Sequence, residues 1–164
     1  MGVNASQHIA LRVSDVDRSA KFYIEAFGGH YLTLPFLVDD PGMAGLFGGH
    51  EGLKVKVCIL GFDQGVIELF EFLEPSRPTG PEDPTRAMLM HWCVQVDDVE
   101  EALARVEALG AKPVQPLGDW GGSKFVYCYD LDGNVFEMLD SSMEETARRT
   151  IELFPEAAGT PSLR

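Results

Sequence analysis

Apolar and polar positions alternate over Ile9-Ala10-Leu11-Arg12-Val13, the period of a strand with one buried face. The period then changes. Val16, Ala20, Tyr23 and Phe27 recur at helical spacing, Asp15 stands where a helix N-cap is wanted, and Gly28 follows as a C-cap. The same succession returns 83 residues later, where His8-Ile9-Ala10-Leu11-Arg12-Val13 becomes His91-Trp92-Cys93-Val94-Gln95-Val96. Asp98, the apolar series Val99, Ala102, Leu103, Val106, Leu109, and Gly110 predict the second helix with its two caps. The ends of the two halves also match. Asp63-Gln64-Gly65-Val66-Ile67-Glu68-Leu69 reappears 69 residues on as Asp132-Gly133-Asn134-Val135-Phe136-Glu137-Met138, each a tight turn leading into an apolar strand that contains one glutamate. Further strands are expected near 30–38, 53–61, 111–115 and 124–130.

This reading gives an α+β fold of two tandem βαβββ modules that form a cleft or half-barrel, within one domain. Module one spans about 6–73, a Pro-rich linker about 74–88, and module two about 89–140. A helix over about 142–154 follows, with Ser141 and Glu144 as a capping box and Met143, Ala147, Ile151 and Phe154 on one face. The segment 40–52, with Gly42, Gly45, Gly48 and Gly49, reads as a loop able to cover the cleft. Its glycines lack the following Lys-Ser/Thr and the strand–loop–helix setting of a phosphate loop.

Charge narrows the function classes. Thirteen Lys and Arg against 26 Asp and Glu leave a net charge of −13, which repels phosphate backbones and anionic lipid. No nucleic-acid or membrane partner is expected, and a small-molecule substrate is. Cys58, Cys93 and Cys128 are dispersed and odd in number, as in reduced, cytoplasmic proteins, and no apolar run is long enough to cross a bilayer.

The candidate chemistry lies where the repeat places charge inside apolar strands. His8 and His91 are equivalent, and so are Glu68 and Glu137, flanked by Ile67 and Leu69 or by Phe136 and Met138. A carboxylate in such surroundings needs pairing or a metal. Taken singly, a strand histidine or glutamate is ordinarily a surface or satisfied core residue; the matched duplication is what raises the set above that reading. Two imidazoles and two carboxylates suit one borderline divalent ion such as Ni, Co, Zn, Mn or Fe.

The segments HIALRVSDVDRSAKFYIEAFG, GVIELFEF, HWCVQVDDVEEALARVEALGAKP and YCYDLDGNVFEML together resemble the vicinal oxygen chelate superfamily over roughly residues 7–140. That superfamily includes glyoxalase I, methylmalonyl-CoA epimerase, extradiol dioxygenases, fosfomycin-resistance enzymes and bleomycin-binding proteins. The resemblance implies His8, Glu68, His91 and Glu137 as metal ligands, in the His, Glu, His, Glu pattern of bacterial-type glyoxalase I. It also implies a lyase or isomerase that moves a proton next to a carbonyl through a metal-stabilised enediolate, with Glu137 as base and Glu68 as its partner. Arg12 matches an arginine that holds a substrate carboxylate in glyoxalase I. Phe72 stands where glyoxalase I has an asparagine, and Asp119-Trp120-Gly121-Gly122 where it has a lysine, so Arg12, Phe72 and Trp120 are the expected substrate contacts. His50 or Glu51 is a candidate for the second carboxylate-type group of the epimerases. Homodimerisation, assisted by the apolar face of the last helix, is a further expectation. Two rival readings remain. One is an Fe(II) extradiol-type dioxygenase, for which one glutamate is surplus. The other is a drug-binding resistance protein whose cleft is lined by Phe36, Phe47, Trp92, Trp120 and Phe125.

Overall fold

The computed structural model describes residues 7–39, 50, 52–76, 78–81, 89–155 and 158. The expected loop over 40–52, with Phe47 and Glu51, lies almost wholly outside the described residues, as does much of the linker.

The α+β reading holds, with two sheets and three helices. In the first half, β1 (Ile9–Arg12), α1 (Val16–Phe27), β2 (His30–Val38), β3 (Lys54–Phe62) and β4 (Gly65–Glu74) build a sheet of order β1-β4-β3-β2. The second half repeats this with β5 (Trp92–Gln95), α2 (Val99–Ala108), β6 (Lys112–Pro113), β7 (Gly118–Trp120), β8 (Ser123–Tyr129) and β9 (Val135–Leu139), in order β5-β9-β8-β6 with β7 also on β8. The first and last strands of each half pair in parallel, with the helix and the intervening strands between them in sequence, and the other pairs are antiparallel. Strands β1 and β5 are therefore the outer strands of their sheets, each bonded on one side only among the described residues.

Local signals explain the helices. Asp15 caps α1 by accepting from the Arg18 amide at 3.0 Å, Glu71 on β4 accepts from the Val16 amide at 3.0 Å, and Gly28 ends the helix at φ 72°. Asp98 caps α2 through the Glu101 amide at 3.0 Å. Three sequence expectations are corrected. The last residue of α2 is followed by Leu109 as C-cap, and Gly110 lies one position beyond at φ 103°. The last helix, α3 (Met143–Leu153), is capped by Ser142 through the Glu145 amide, while Ser141 is buried and pairs with Thr146. The strand expected over 111–115 shrinks to two residues. Pro113 and Pro116 interrupt the amide ladder there, and the short β7 takes over the edge.

The two halves share one core. Phe22, Tyr23 and Phe27 of α1 project from module one onto Trp92 and Phe136 of module two, with ring centroids 5.6–6.2 Å apart across the boundary. Trp92 is therefore a core residue, which corrects its expected place in a ligand cleft. Each such buried ring contributes on the order of 2–3 kcal/mol through area removed from water.

The β8–β9 connection locks the same boundary. Asp130 accepts from the Tyr23 hydroxyl at 2.6 Å and from the amides of Asp132 and Asn134. Asp132 accepts from the Ser14 amide, Arg18, the Ser19 hydroxyl and Thr79, at 2.8–3.1 Å. Gly133, at φ 88°, lies so close to the linker that an added Cβ would stand 2.3 Å from the Pro81 nitrogen. Burial raises the Asp132 pKa, but the bonds from Ser14, Thr79 and Arg18 outweigh it and hold the carboxyl below its ordinary value. Burial, then the charge of Asp130 and the bond to it, push the Tyr23 phenol well above its usual range.

Candidate metal centre

Alternation along β4 turns Ile67 and Leu69 into the core and leaves Glu68, Phe70 and Phe72 on the opposite face. Along β9 it buries Phe136 and Met138 and puts Glu137 between them on the opposite face. The histidines stand one residue before the outer strands, His8 before β1 and His91 before β5. Because these strands run parallel to β4 and β9, each imidazole reaches its neighbouring glutamate. His8 Nε2 is 3.3 Å from a Glu68 carboxylate oxygen, and His91 Nε2 is 3.2 Å from one of Glu137. The pairs are half-buried, with Glu137 the more enclosed.

These distances fit a shared ion. Bonds of about 2.1 Å meeting at tetrahedral or octahedral angles put adjacent donor atoms about 3.0–3.4 Å apart. Each half thus offers one edge of a coordination shell, with a nitrogen and an oxygen donor. Within the chain the structure brings the four together only as two pairs. Among the described residues no group of three or more His, Cys, Asp or Glu side chains is gathered as a metal would need.

The surroundings of the pairs differ. Glu68 stands in register between Ala10 and Ile59. Glu137 stands between Cys93 and Tyr127. The Tyr127 ring meets the His91 ring edge-on at 5.0 Å and packs on Phe125 at 6.1 Å. Burial first, then the charge of Glu137 and a hydrogen bond to it, push the Tyr127 phenol up to about 12 and the Cys93 thiol up to about 12. Sequence reasoning passed over both residues. Cys93 was legible, since it falls on Ala10 at the repeat offset. Tyr127 was not, because the β3–β4 and β8–β9 turns differ in length and displace it by one residue relative to Ile59.

The expected substrate contacts fare differently. Phe72 joins a small apolar cluster with Leu53, Val55, Val57, Val38 and Phe70, on the Glu68 face of the first sheet. Arg12, at the end of β1, donates from its guanidinium to the Pro78 carbonyl, and its own carbonyl accepts from Asn134. Trp120 ends β7 with its ring 41% exposed and its carbonyl accepting from Arg149 of α3. Arg12, Phe72 and Trp120 thus stand at the end of β1, on β4 and at the end of β7. His50 is exposed.

Among solved structures, a glyoxalase family protein from Bacillus cereus superposes with a TM-score of 0.76 at 15% identity, covering 85% of this chain and 95% of that one. A genomically encoded fosfomycin resistance protein from Listeria monocytogenes, complexed with Mn(II) and sulfate, matches with a TM-score of 0.61 at 21% identity over 88% and 98% of the two chains. In sequence, a lactoylglutathione lyase of Schizosaccharomyces pombe is 28% identical over 151 residues. That match takes in 82% of this chain but 47% of the relative, so the chain spans about half the length of that relative. The uncharacterized protein YaeR of Escherichia coli is 28% identical over 85% of this chain and 98% of its own. No described helix is long and apolar enough to cross a membrane. The family model for the glyoxalase/bleomycin resistance protein/dioxygenase superfamily matches residues 5–138, and with that span the chain belongs to this superfamily.

Proposed function

We propose that the protein is a divalent-metal-dependent lyase or isomerase, glyoxalase I-like or epimerase-like, that moves a proton next to a carbonyl. The observation that carries the reading is the duplicated His–Glu pair, His8 with Glu68 and His91 with Glu137, each at the spacing of adjacent metal donors. One pair fills half of a four-coordinate shell, so two pairs must meet. We assign that meeting to a homodimer, in which the first pair of one copy faces the second pair of another. Two features support it: among the described residues β1 and β5 each have one unbonded edge beside their histidine, and α3 has no buried residue while it and its C-cap present Ile151, Leu153 and Phe154 to solvent.

When bound, a Ni, Co, Zn, Mn or Fe ion supplies Lewis-acid stabilisation of charge that develops on a substrate oxygen. The chain's residues do the rest. One glutamate takes the proton from the carbon beside the carbonyl, and the C–H electron pair becomes the new C=C bond as the carbonyl oxygen takes up the charge. The proton then returns, to the neighbouring carbon or to the opposite face of the same one, and no co-reactant is needed. The apolar strip of Phe70, Phe72 and Val57 beside Glu68 excludes water and favours the uncharged part of a substrate over the charged end of a peptide.

The test is metal content by plasma mass spectrometry on untagged wild type and on a His8→Ala/Glu137→Ala variant, with proton–deuterium exchange on carbonyl compounds and turnover of lactoylglutathione as activity readouts. About one ion per chain in wild type, none in the variant, and exchange that disappears with the ion are expected. No ion in wild type after soaking with these metals would overturn the reading. Iron with oxygen consumption would move the protein to the dioxygenase branch. Tight binding of an aromatic drug regardless of chelator would make it a binding protein.

A further inference from the structure

The face of the second sheet that carries Glu137 runs well past the candidate ligands. Tyr127 stands opposite Glu137, Phe125 opposite Leu139, and Trp120 opposite Ser123, so alternation puts Trp120, Ser123, Phe125 and Tyr127 on the face of Glu137. The Phe125 ring lies across Gly118 of β7, where an added Cβ would stand 2.5 Å from it. Phe125 and Tyr127 meet edge to face with centroids 6.1 Å apart and form an aromatic floor.

Helix α3 crosses the far end of this floor. Its Arg149 guanidinium donates to the Ser123 hydroxyl and the Trp120 carbonyl, and pairs with Glu145 one turn earlier. The helix is laid inside out. The Arg149 side chain is 17% exposed, while Met143 is 67% exposed and Ile151 and Leu153 also face solvent. Burial of apolar surface alone favours the reverse arrangement. The Nε–H of Arg149 and one Nη2 hydrogen have no partner among the described residues. Arg149 also lies beyond residues 5–138, the span of the superfamily match.

Resting on the metal-dependent reading above, we propose that Arg149 holds the anionic end of the substrate. The substrate class is then a carbonyl compound with an apolar or planar middle and a carboxylate at its far end. From Tyr127, opposite Glu137, to Ser123, beneath Arg149, the strand runs about 13 Å, which sets the span from reacting carbon to carboxylate. In a chain of net charge −13, a half-enclosed guanidinium is what draws an anion into this end of the cleft. Glu145 holds the guanidinium until the substrate carboxylate takes its place.

The experiment is calorimetric titration of 4-phenylbutyrate and its neutral amide into the full chain, with and without EDTA, in wild type, Arg149→Gln, Arg149→Lys and Glu145→Gln. Wild type is expected to prefer the carboxylate by about tenfold, with or without chelator. Arg149→Gln should lose that preference while binding the amide as before, and Arg149→Lys should keep part of it. Glu145→Gln, which frees the guanidinium, should bind the carboxylate more tightly and the amide unchanged. A purely structural Arg149 would weaken both probes together and keep their ratio, and that result would overturn the proposal. So would a preference that EDTA abolishes, one that persists in Arg149→Gln, or a wild type that binds neither probe. If Arg149→Gln does not fold, Glu145→Gln decides, and an unchanged carboxylate affinity there contradicts the anchor. Metal content measured on the same samples reports on the metal-dependent reading separately.

Discussion

In module one, β2, β3 and β4 are nine to ten residues long, and β2 exposes Leu32, Leu34, Phe36 and Leu37. In module two the corresponding edge is broken into β6 and β7, of two and three residues, and the polar-atom-bearing rings of Tyr127 and Tyr129 line β8. The two halves nevertheless hold their His–Glu pairs at 3.3 and 3.2 Å. What the duplication keeps is the strand pair that sets those four side chains. What it lets diverge is the wall beside them, apolar in one half and hydroxyl-bearing in the other. In the proposed enzyme the kept part holds the ion, and the diverged part selects the substrate.

The comparison breaks most readily at the shared core. Phe136→Ala removes the ring on which Phe22, Phe27 and Trp92 converge, and is expected to cost about 3–5 kcal/mol in urea unfolding. Coincident loss of both halves in one transition would mark them as a single cooperative unit; separate transitions would show two independent modules.

A somewhat smaller effect is expected at the β8–β9 turn. Asp132→Asn weakens four hydrogen bonds to module one and the linker, at a cost of about 2–3 kcal/mol near neutral pH. The direction with pH follows from the depressed folded-state pKa. The stabilisation is complete above the ordinary value of 3.8 and is lost as pH falls through the lower folded value. Wild type should therefore lose stability on acidification from about pH 4 downward, and the gap between it and Asp132→Asn should narrow there. A constant gap would contradict this role for the carboxylate.

Phe72→Ala sharpens the contrast between the walls. It truncates a half-buried ring in the small cluster, and a cost of about 1–2 kcal/mol is expected, less than for Phe136 because its site is partly open to solvent. The smallest effect is that of Leu34→Ser at 72% exposure, within about 0.5 kcal/mol for the isolated chain. A larger change in a concentration-dependent unfolding midpoint would mean that a second copy covers β2.

Much of this architecture was legible because the chain states it twice. The offset between His8 and His91, the caps Asp15 and Asp98, and the glutamates inside apolar strands gave the two-module fold and the candidate ligands. The parts that escaped are those where tertiary packing decides. Trp92 lies on a strand that reads as half-exposed, yet α1 of the other module covers it. Ser142 rather than Ser141 caps α3, because Ser141 is drawn inward toward Thr146. Gly118-Asp119-Trp120 carries no alternation that would announce β7, and its pairing with β8 exists only in three dimensions. The separation of the ligand set into two pairs could not be read from order along the chain, since it depends on how the sheets meet.

In the proposed homodimer the first pair of one copy and the second pair of another complete a single metal site. Mixing His8→Ala and Glu137→Ala chains after denaturation and joint refolding tests it directly. Each variant alone lacks a ligand in every site, but a mixed dimer restores one intact site from the undamaged pair of each chain. Nickel content and proton exchange, absent from either variant alone, are expected to return in the mixture to about a quarter of the wild-type level, as random pairing requires. A mixture as empty as its parents, alongside a wild type that holds its ion, would contradict it and place all four ligands within one chain.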